Sequence, residues 1–271
     1  MPTNPMKRPN TIGILGGLGP MAGCLLHRAI LENTASSCDQ EHLDVIHVSM
    51  SSLLDRNDRI AGFTTYLLDP TSRDVINPGT EMARVVTSIK SAAAAIHGDS
   101  SSVVVGVPCN TSHSPLIWSV LEDAVHSIDG VVLLNMVEET VKHIRQHLPG
   151  ARNIGLMATT GARQTRVYHN QLELYNLKAV DVPDNIQIDL HETIFNEGWG
   201  LKSGGSTRAR NRMKYYVRLL IDAGCDTIIL GCSEIPIALP ESHLNGVPLI
   251  NPVVLLSRAL INAVSPRKLR M

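Results

Sequence analysis

Two cysteines stand where apolar runs end. Val103-Val104-Val105-Gly106-Val107-Pro108 leads into Cys109-Asn110-Thr111-Ser112-His113, and Thr227-Ile228-Ile229-Leu230-Gly231 leads into Cys232-Ser233-Glu234. Such β-branched runs read as buried strands, and ligands of open α/β sheets bind at the carboxyl ends of strands. A thiol delivered to that place once in each half of the chain suggests a pair facing one small substrate. A thiol just ahead of a helix start also sits in positive potential, which favours the thiolate. Asn110 and Thr111 supply an amide and a hydroxyl able to grip a carboxylate. His113 is either an acid–base group or a polar capping residue. Glu234 either orients the surroundings of Cys232 or caps the turn that follows.

A glycine-rich segment, Gly16-Gly17-Leu18-Gly19-Pro20-Met21-Ala22, satisfies G-x-G-x-x-A between a strand and a helix. A dinucleotide site would also need a carboxylate near the end of the second strand to hold the ribose. That strand ends in His47-Val48-Ser49-Met50 instead. The remaining reading is a tight turn at Gly17 whose backbone N–H groups approach a carboxylate at a helix N-terminus. The other cysteines, Cys24, Cys38 and Cys225, read as small buried residues. No CxxC spacing occurs, so neither a zinc centre nor a redox dithiol is expected.

The elements that must position these groups alternate between strand and helix. Strands are expected at Thr11–Leu15, Leu43–Ser49, Val103–Val107, Val131–Asn135, Ile154–Ala158, Thr227–Leu230 and Pro248–Ile250. Helices are expected at Pro20–Asn33, Glu81–His97, Pro115–His126, Val137–His147, Gly161–Tyr175, Ile188–Asn196, Thr207–Ala223 and Val253–Val264. This alternation predicts parallel sheets with crossover helices. Thr11-Ile12-Gly13-Ile14-Leu15-Gly16-Gly17-Leu18-Gly19 resembles Asn153-Ile154-Gly155-Leu156-Met157-Ala158-Thr159-Thr160-Gly161, a weak internal repeat that opens each cysteine-bearing half. The expected division is an N-terminal α/β domain over residues 1–148 and a second over 149–247, with 248–271 packing back on the first.

The bulk numbers narrow the function. A net charge of −1 gives no field to recruit nucleic acid or an anionic membrane, and 3% aromatic residues offer no base-stacking platform. No apolar run approaches the roughly 18 residues of a membrane helix. The polar, proline-containing stretch Met1–Asn10 lacks the apolar core of a secretory signal. Five cysteines, an odd number without paired spacing, fit a reducing compartment, so a cytoplasmic location is expected.

Taken together, Ile12–Pro20, Cys109–His113 and Gly231-Cys232-Ser233-Glu234-Ile235 resemble the aspartate/glutamate racemase superfamily, and its cofactor-independent aspartate racemases in particular. Gly155–Thr159 and the stretch around Lys202-Ser203-Gly204 look like further landmarks of that family. The resemblance implies two similar parallel-sheet α/β domains with pseudo-twofold symmetry and an interdomain active site. It implies Cys109 and Cys232 as the acid–base pair, and Arg56 and Lys202 as cations for substrate carboxylates. Asn110, Thr111, Ser112, Thr159, Ser233 and Glu234 would hold the substrate, with Gly17 contributing backbone. It also implies a small dicarboxylic amino-acid substrate, a homodimer, and no cofactor or metal. Ser233 stands where the family commonly has threonine, and Asn251 where it commonly has aspartate.

The chemistry supplies its own reason for two thiols. Inverting a stereocentre needs a base on one face and an acid on the other, and a thiol reference pKa of ~8.5 leaves both protonation states within reach. The two must hold opposite states at once, a coupled titration. On the same fold, maleate cis–trans isomerisation or hydantoin racemisation is the alternative. A non-catalytic amino-acid-binding protein is another, although a binder needs neither thiol. The segment Thr64–Pro78 is long enough for a lid or an interface.

Overall fold

Two parallel sheets form the scaffold of the computed structural model, which describes residues 9–54 and 77–271. Arg56 and residues 64–76 lie outside the described residues. Internal contacts divide the chain into two units. One holds the chain up to Pro108 together with Leu116–Asn135 and Leu256–Met271; the other holds Cys109–Pro115 and Met136–Leu255. In this grouping the long run of the second unit begins at Met136, and the Cys109 segment goes with it.

In the first unit, β1 (Thr11–Gly16), β2 (Val45–Ser49), β3 (Val103–Gly106) and β4 (Val131–Leu134) lie in the order β2-β1-β3-β4, all parallel. Every residue of β1 and β3 is buried, as the unbroken apolar runs require of central parallel strands. Helix α1 (Pro20–Asn33) starts with proline in its first turn, where the missing N–H has no partner to lose. Its buried face is Ala22, Gly23, Leu26, Ala29 and Ile30, a helical stripe that leaves Cys24 on the opposite side. Cys24 and Cys38 are both exposed, contrary to the expectation of buried positions; Cys38 precedes a short polar turn with no apolar face. Helix α2 (Ser51–Leu54) is a single turn, and α3 (Pro78–His97) is capped by Asn77, whose Oδ1 accepts from the Gly79 N–H at 2.8 Å. Helix α4 (Pro115–Val125) follows the Cys109 segment.

The second unit opens with α5 (Met136–His147) and carries β5 (Asn153–Ala158), β6 (Lys178–Asp181), β7 (Thr227–Gly231), β8 (His243–Leu244) and β9 (Val247–Ile250). Their order is β6-β5-β7-β9-β8, parallel except for the β8–β9 hairpin. Both sheets place their first strand between the second and third, so the weak sequence repeat has a topological counterpart. In both, the third strand leads to a cysteine. The last parallel strand, β9, belongs to this second sheet, and the closing helix α11 (Pro252–Val264) runs from the second unit into residues grouped with the first.

Beyond short additions such as α2 and β8, two local outcomes depart from the sequence expectation around the site. The single helix expected over Gly161–Tyr175 is broken into α6 (Thr160–Gln164) and α7 (Val167–Leu174) by Arg166, whose φ of 53° is left-handed. The Thr165 hydroxyl donates back to the Gly161 carbonyl at 2.8 Å, closing α6 just before the break. Strand β6 was not expected; it is four residues long and, among the described residues, pairs only with β5. Helices α8 (Asp184–Phe195) and α9 (Thr207–Asp222) cover this sheet, and the one-turn α10 (Ile235–Ala238) follows Cys232.

Candidate active site

The Cys109 segment is a short loop held by its own side chains. Cys109 is extended (φ −115°, ψ 113°) and caps a 3-10 turn over Asn110–His113. The Ser112 hydroxyl donates to the Cys109 carbonyl at 2.7 Å. His113 is buried, and its ring has two fixed roles. Nδ1 lies 2.9 Å from the Cys109 carbonyl, to which it must donate, and Nε2 accepts from the Met136 N–H at 3.2 Å. That pattern defines the neutral imidazole. Burial pushes the His113 pKa down to about 4, so the ring bears no charge near neutrality. Of the two roles left open for His113, the structural one is observed: it ties the Cys109 carbonyl to the start of α5.

Cys232 follows β7 directly and is 6% exposed. Its thiol donates to Glu234 Oε2 at 3.0 Å, and the Ser233 hydroxyl donates to the same oxygen at 3.0 Å. Lys202 Nζ donates to the other carboxylate oxygen, Oε1, at 3.0 Å. Glu234 stands at the N-cap of α10 but makes no side-chain cap bond, so it orients the thiol rather than capping the turn. Lys202 comes from the turn Leu201–Ser203, its side chain 33% exposed and its ammonium 5.3 Å from the Phe195 ring centre.

The electrostatics join both thiols. Burial raises the Glu234 carboxyl, but the Lys202 charge and the hydrogen bonds from Cys232, Lys202 and Ser233 outweigh it and hold Glu234 below its ordinary value. Burial likewise works against charged Lys202, and the Glu234 carboxylate with the two thiol groups reverses the sign, so Lys202 stays protonated. Cys232 is pushed well above the usual thiol range, first by burial and then by the Glu234 charge. Cys109 is raised as well, chiefly by burial, with the Ser112 N–H and Lys202 opposing. Cys109 is the more accessible of the two.

Three further residues complete the group. Thr159, at the end of β5, has Oγ1 3.3 Å from Thr111 Oγ1 and also accepts from the Ala162 N–H at 3.3 Å, capping α6. Gln187 donates to the Ala158 carbonyl at 3.0 Å and so fixes the end of β5 beside Thr159. Tyr168, buried on α7, donates to Asn110 Oδ1 at 2.5 Å. Neither Gln187 nor Tyr168 carried any signal in the sequence, since each acts through a partner far along the chain. A cleft of about 210 Å³ reaches Glu234 and is lined also by Gly204, Gly205, Thr207 and Arg210.

The second unit therefore brings together Cys109, Asn110, Thr111, Ser112, Thr159, Lys202, Cys232, Ser233 and Glu234. Gly17 belongs to the first unit, where its φ of 111° and close approach to the Met50 backbone require a glycine. Among the described residues no group of three or more His, Cys, Asp or Glu side chains could hold a metal ion. No described helix is long and apolar enough to cross a membrane.

Two parallel α/β units, one of which carries two thiols beside the Lys202–Glu234 ion pair, set the class of fold. The family model for Asp/Glu/Hydantoin racemase matches residues 15–260, and the chain belongs to that family. Its fold is that of the aspartate racemase of Picrophilus torridus, with a TM-score of 0.69, 20% identity and 94% of each chain covered. It is also similar in fold to the glutamate racemase of Francisella tularensis solved with D-glutamate, with a TM-score of 0.55, 16% identity, and 97% of this chain and 83% of that one covered. In sequence, a glutamate racemase of Pseudomonas putida (strain W619) is 33% identical over 89 residues, 32% of this chain and 31% of that protein. The chain thus matches less than a third of the length of that relative.

Proposed function

We propose that the protein is a cofactor-independent amino-acid racemase whose substrate is a dicarboxylic amino acid, aspartate in the first place. Cys109 as thiolate removes the Cα proton, and Cys232 as thiol donates one to the opposite face. The electron pair of the broken C–H bond passes into the adjacent carboxylate as an enediolate-like state and returns to form the new C–H bond. The thiol states exchange in one turnover, and the other enantiomer uses them in reverse.

One observation carries this reading: a single buried carboxylate, Glu234, holds the Cys232 proton, and the same Glu234–Lys202 pair acts on Cys109. Two thiols under one charge pair can be kept in opposite protonation states, as proton exchange at two faces demands. The Asn110 amide and the Thr111–Thr159 hydroxyl pair offer fixed donors for the developing negative charge, while the Ser112 and Ser233 hydroxyls hold the Cys109 carbonyl and Glu234 in place. Lys202 adds a positive charge close to both sulfurs. On the family resemblance, Arg56 and Gly17 take the remaining carboxylate contacts.

The test is incubation of the purified protein, without added cofactor, with each enantiomer of aspartate and glutamate in D₂O. Proton NMR follows the Cα–H signal, and chiral chromatography of the same samples follows inversion. Exchange with inversion of both aspartate enantiomers is expected. Silence with all four amino acids would contradict the proposal.

A further inference from the structure

Tyr168 lies on α7, 1% exposed, and touches both thiol-bearing segments. Its hydroxyl donates to Oδ1 of Asn110, the residue after Cys109. Its ring edge is one of three neighbours of Gly231, the residue before Cys232: a Cβ there would meet Ala158 Cβ and the Met157 carbonyl at 3.1 Å and Tyr168 Cε2 at 3.3 Å. Burial pushes the phenol well above its ordinary pKa, so the O–H remains a donor. With Oδ1 engaged in this way, the amide of Asn110 cannot turn over without losing that bond. Its Nδ2 hydrogens donate to no described residue.

We propose that Tyr168 is a positioning residue for the racemase site: its O–H fixes the Asn110 amide so that Nδ2 is turned to a substrate carboxylate, while its ring packs beside the backbone ahead of Cys232. The inference rests on the function proposed above, and it deepens that function by adding a residue that never touches substrate. A buried Tyr–Asn pair of this kind sets the direction of donors before substrate arrives, so ordering them does not subtract from the binding free energy.

The test uses Tyr168→Phe, which keeps the ring and removes only the hydroxyl, with Asn110→Ala and the double variant. Binding of L-aspartate is measured by calorimetry and racemisation is followed in parallel. Tyr168→Phe should raise Kd and KM about tenfold, the size of one hydrogen bond's worth of affinity. Its kcat should fall by no more than about threefold, and in the Asn110→Ala background it should add nothing further. Aspartate binding as tight as wild type in Tyr168→Phe, or a loss of equal size with and without Asn110, would overturn the inference. A wild-type protein that binds aspartate but does not invert it would refute the proposed function alone. One that does not bind aspartate would overturn both.

Discussion

Glu234 accepts the Cys232 thiol hydrogen through Oε2 and an ammonium hydrogen of Lys202 through Oε1, each at 3.0 Å. One carboxylate is thus divided between a thiol and a cation. Its charge raises both thiols, and the thiol bonded to it is raised further. The proposed function takes this asymmetry to mean that Cys109 ionises first and Cys232 rests as the acid.

That relationship has a pH signature. The rising limb of kcat/KM against pH should report ionisation of Cys109, above the ordinary thiol value because burial dominates its shift. Glu234→Gln removes a negative charge that raises both thiols, so the rising limb should move to lower pH. Alkylation of Cys109, mapped by mass spectrometry across the same pH range, should move with it. A limb that stays in place or moves upward would show that Glu234 does not set the thiol states.

His113 should be visible in stability. Its pKa is about 4 in the folded protein against 6.5 for the free side chain. The unfolded chain therefore binds the extra proton between those values, and stability falls as pH drops through that window. Above pH 6.5 the contribution is fully present; below about pH 4 it is lost, an effect of about 3 kcal/mol. Urea unfolding at a series of pH values should show this slope in the wild type and a shallower one in His113→Gln. Equal slopes would contradict the neutral, buried ring.

Gly17→Ala should destabilise the first unit. At φ 111° a side chain is strained in any case, and its Cβ would lie 2.8 Å from backbone atoms of Met50. A loss of about 1–3 kcal/mol is expected in thermal or urea unfolding. An unchanged midpoint would mean that the turn relaxes freely.

How much of this was legible in the sequence depended on the reach of each interaction. The strand ends at Cys109 and Cys232 were readable because apolar run, thiol and hydroxyl are contiguous. Helix α1 was readable to both its ends because Pro20 and the apolar stripe mark it locally. Strand β6 was not, since four residues with polar ends carry no period, and pairing with β5 alone makes them a strand. The break at Arg166 arises from backbone geometry in a sequence that otherwise favours helix. Tyr168 and Asn110 are 58 positions apart, and only folding makes them neighbours. The same holds for Lys202 and Glu234: the sequence resemblance suggested each as a substrate contact, while the fold pairs them with one another.

The central claim is that both thiols move protons, and single-thiol variants test it most directly. Cys109→Ser and Cys232→Ser should each retain aspartate binding and lose racemisation of both enantiomers by at least about 100-fold, the scale of one lost acid–base group. The measurement is inversion and Cα deuterium incorporation in D₂O, starting from each enantiomer. A Cys232→Ser protein that inverts aspartate at near the wild-type rate would contradict the two-thiol account.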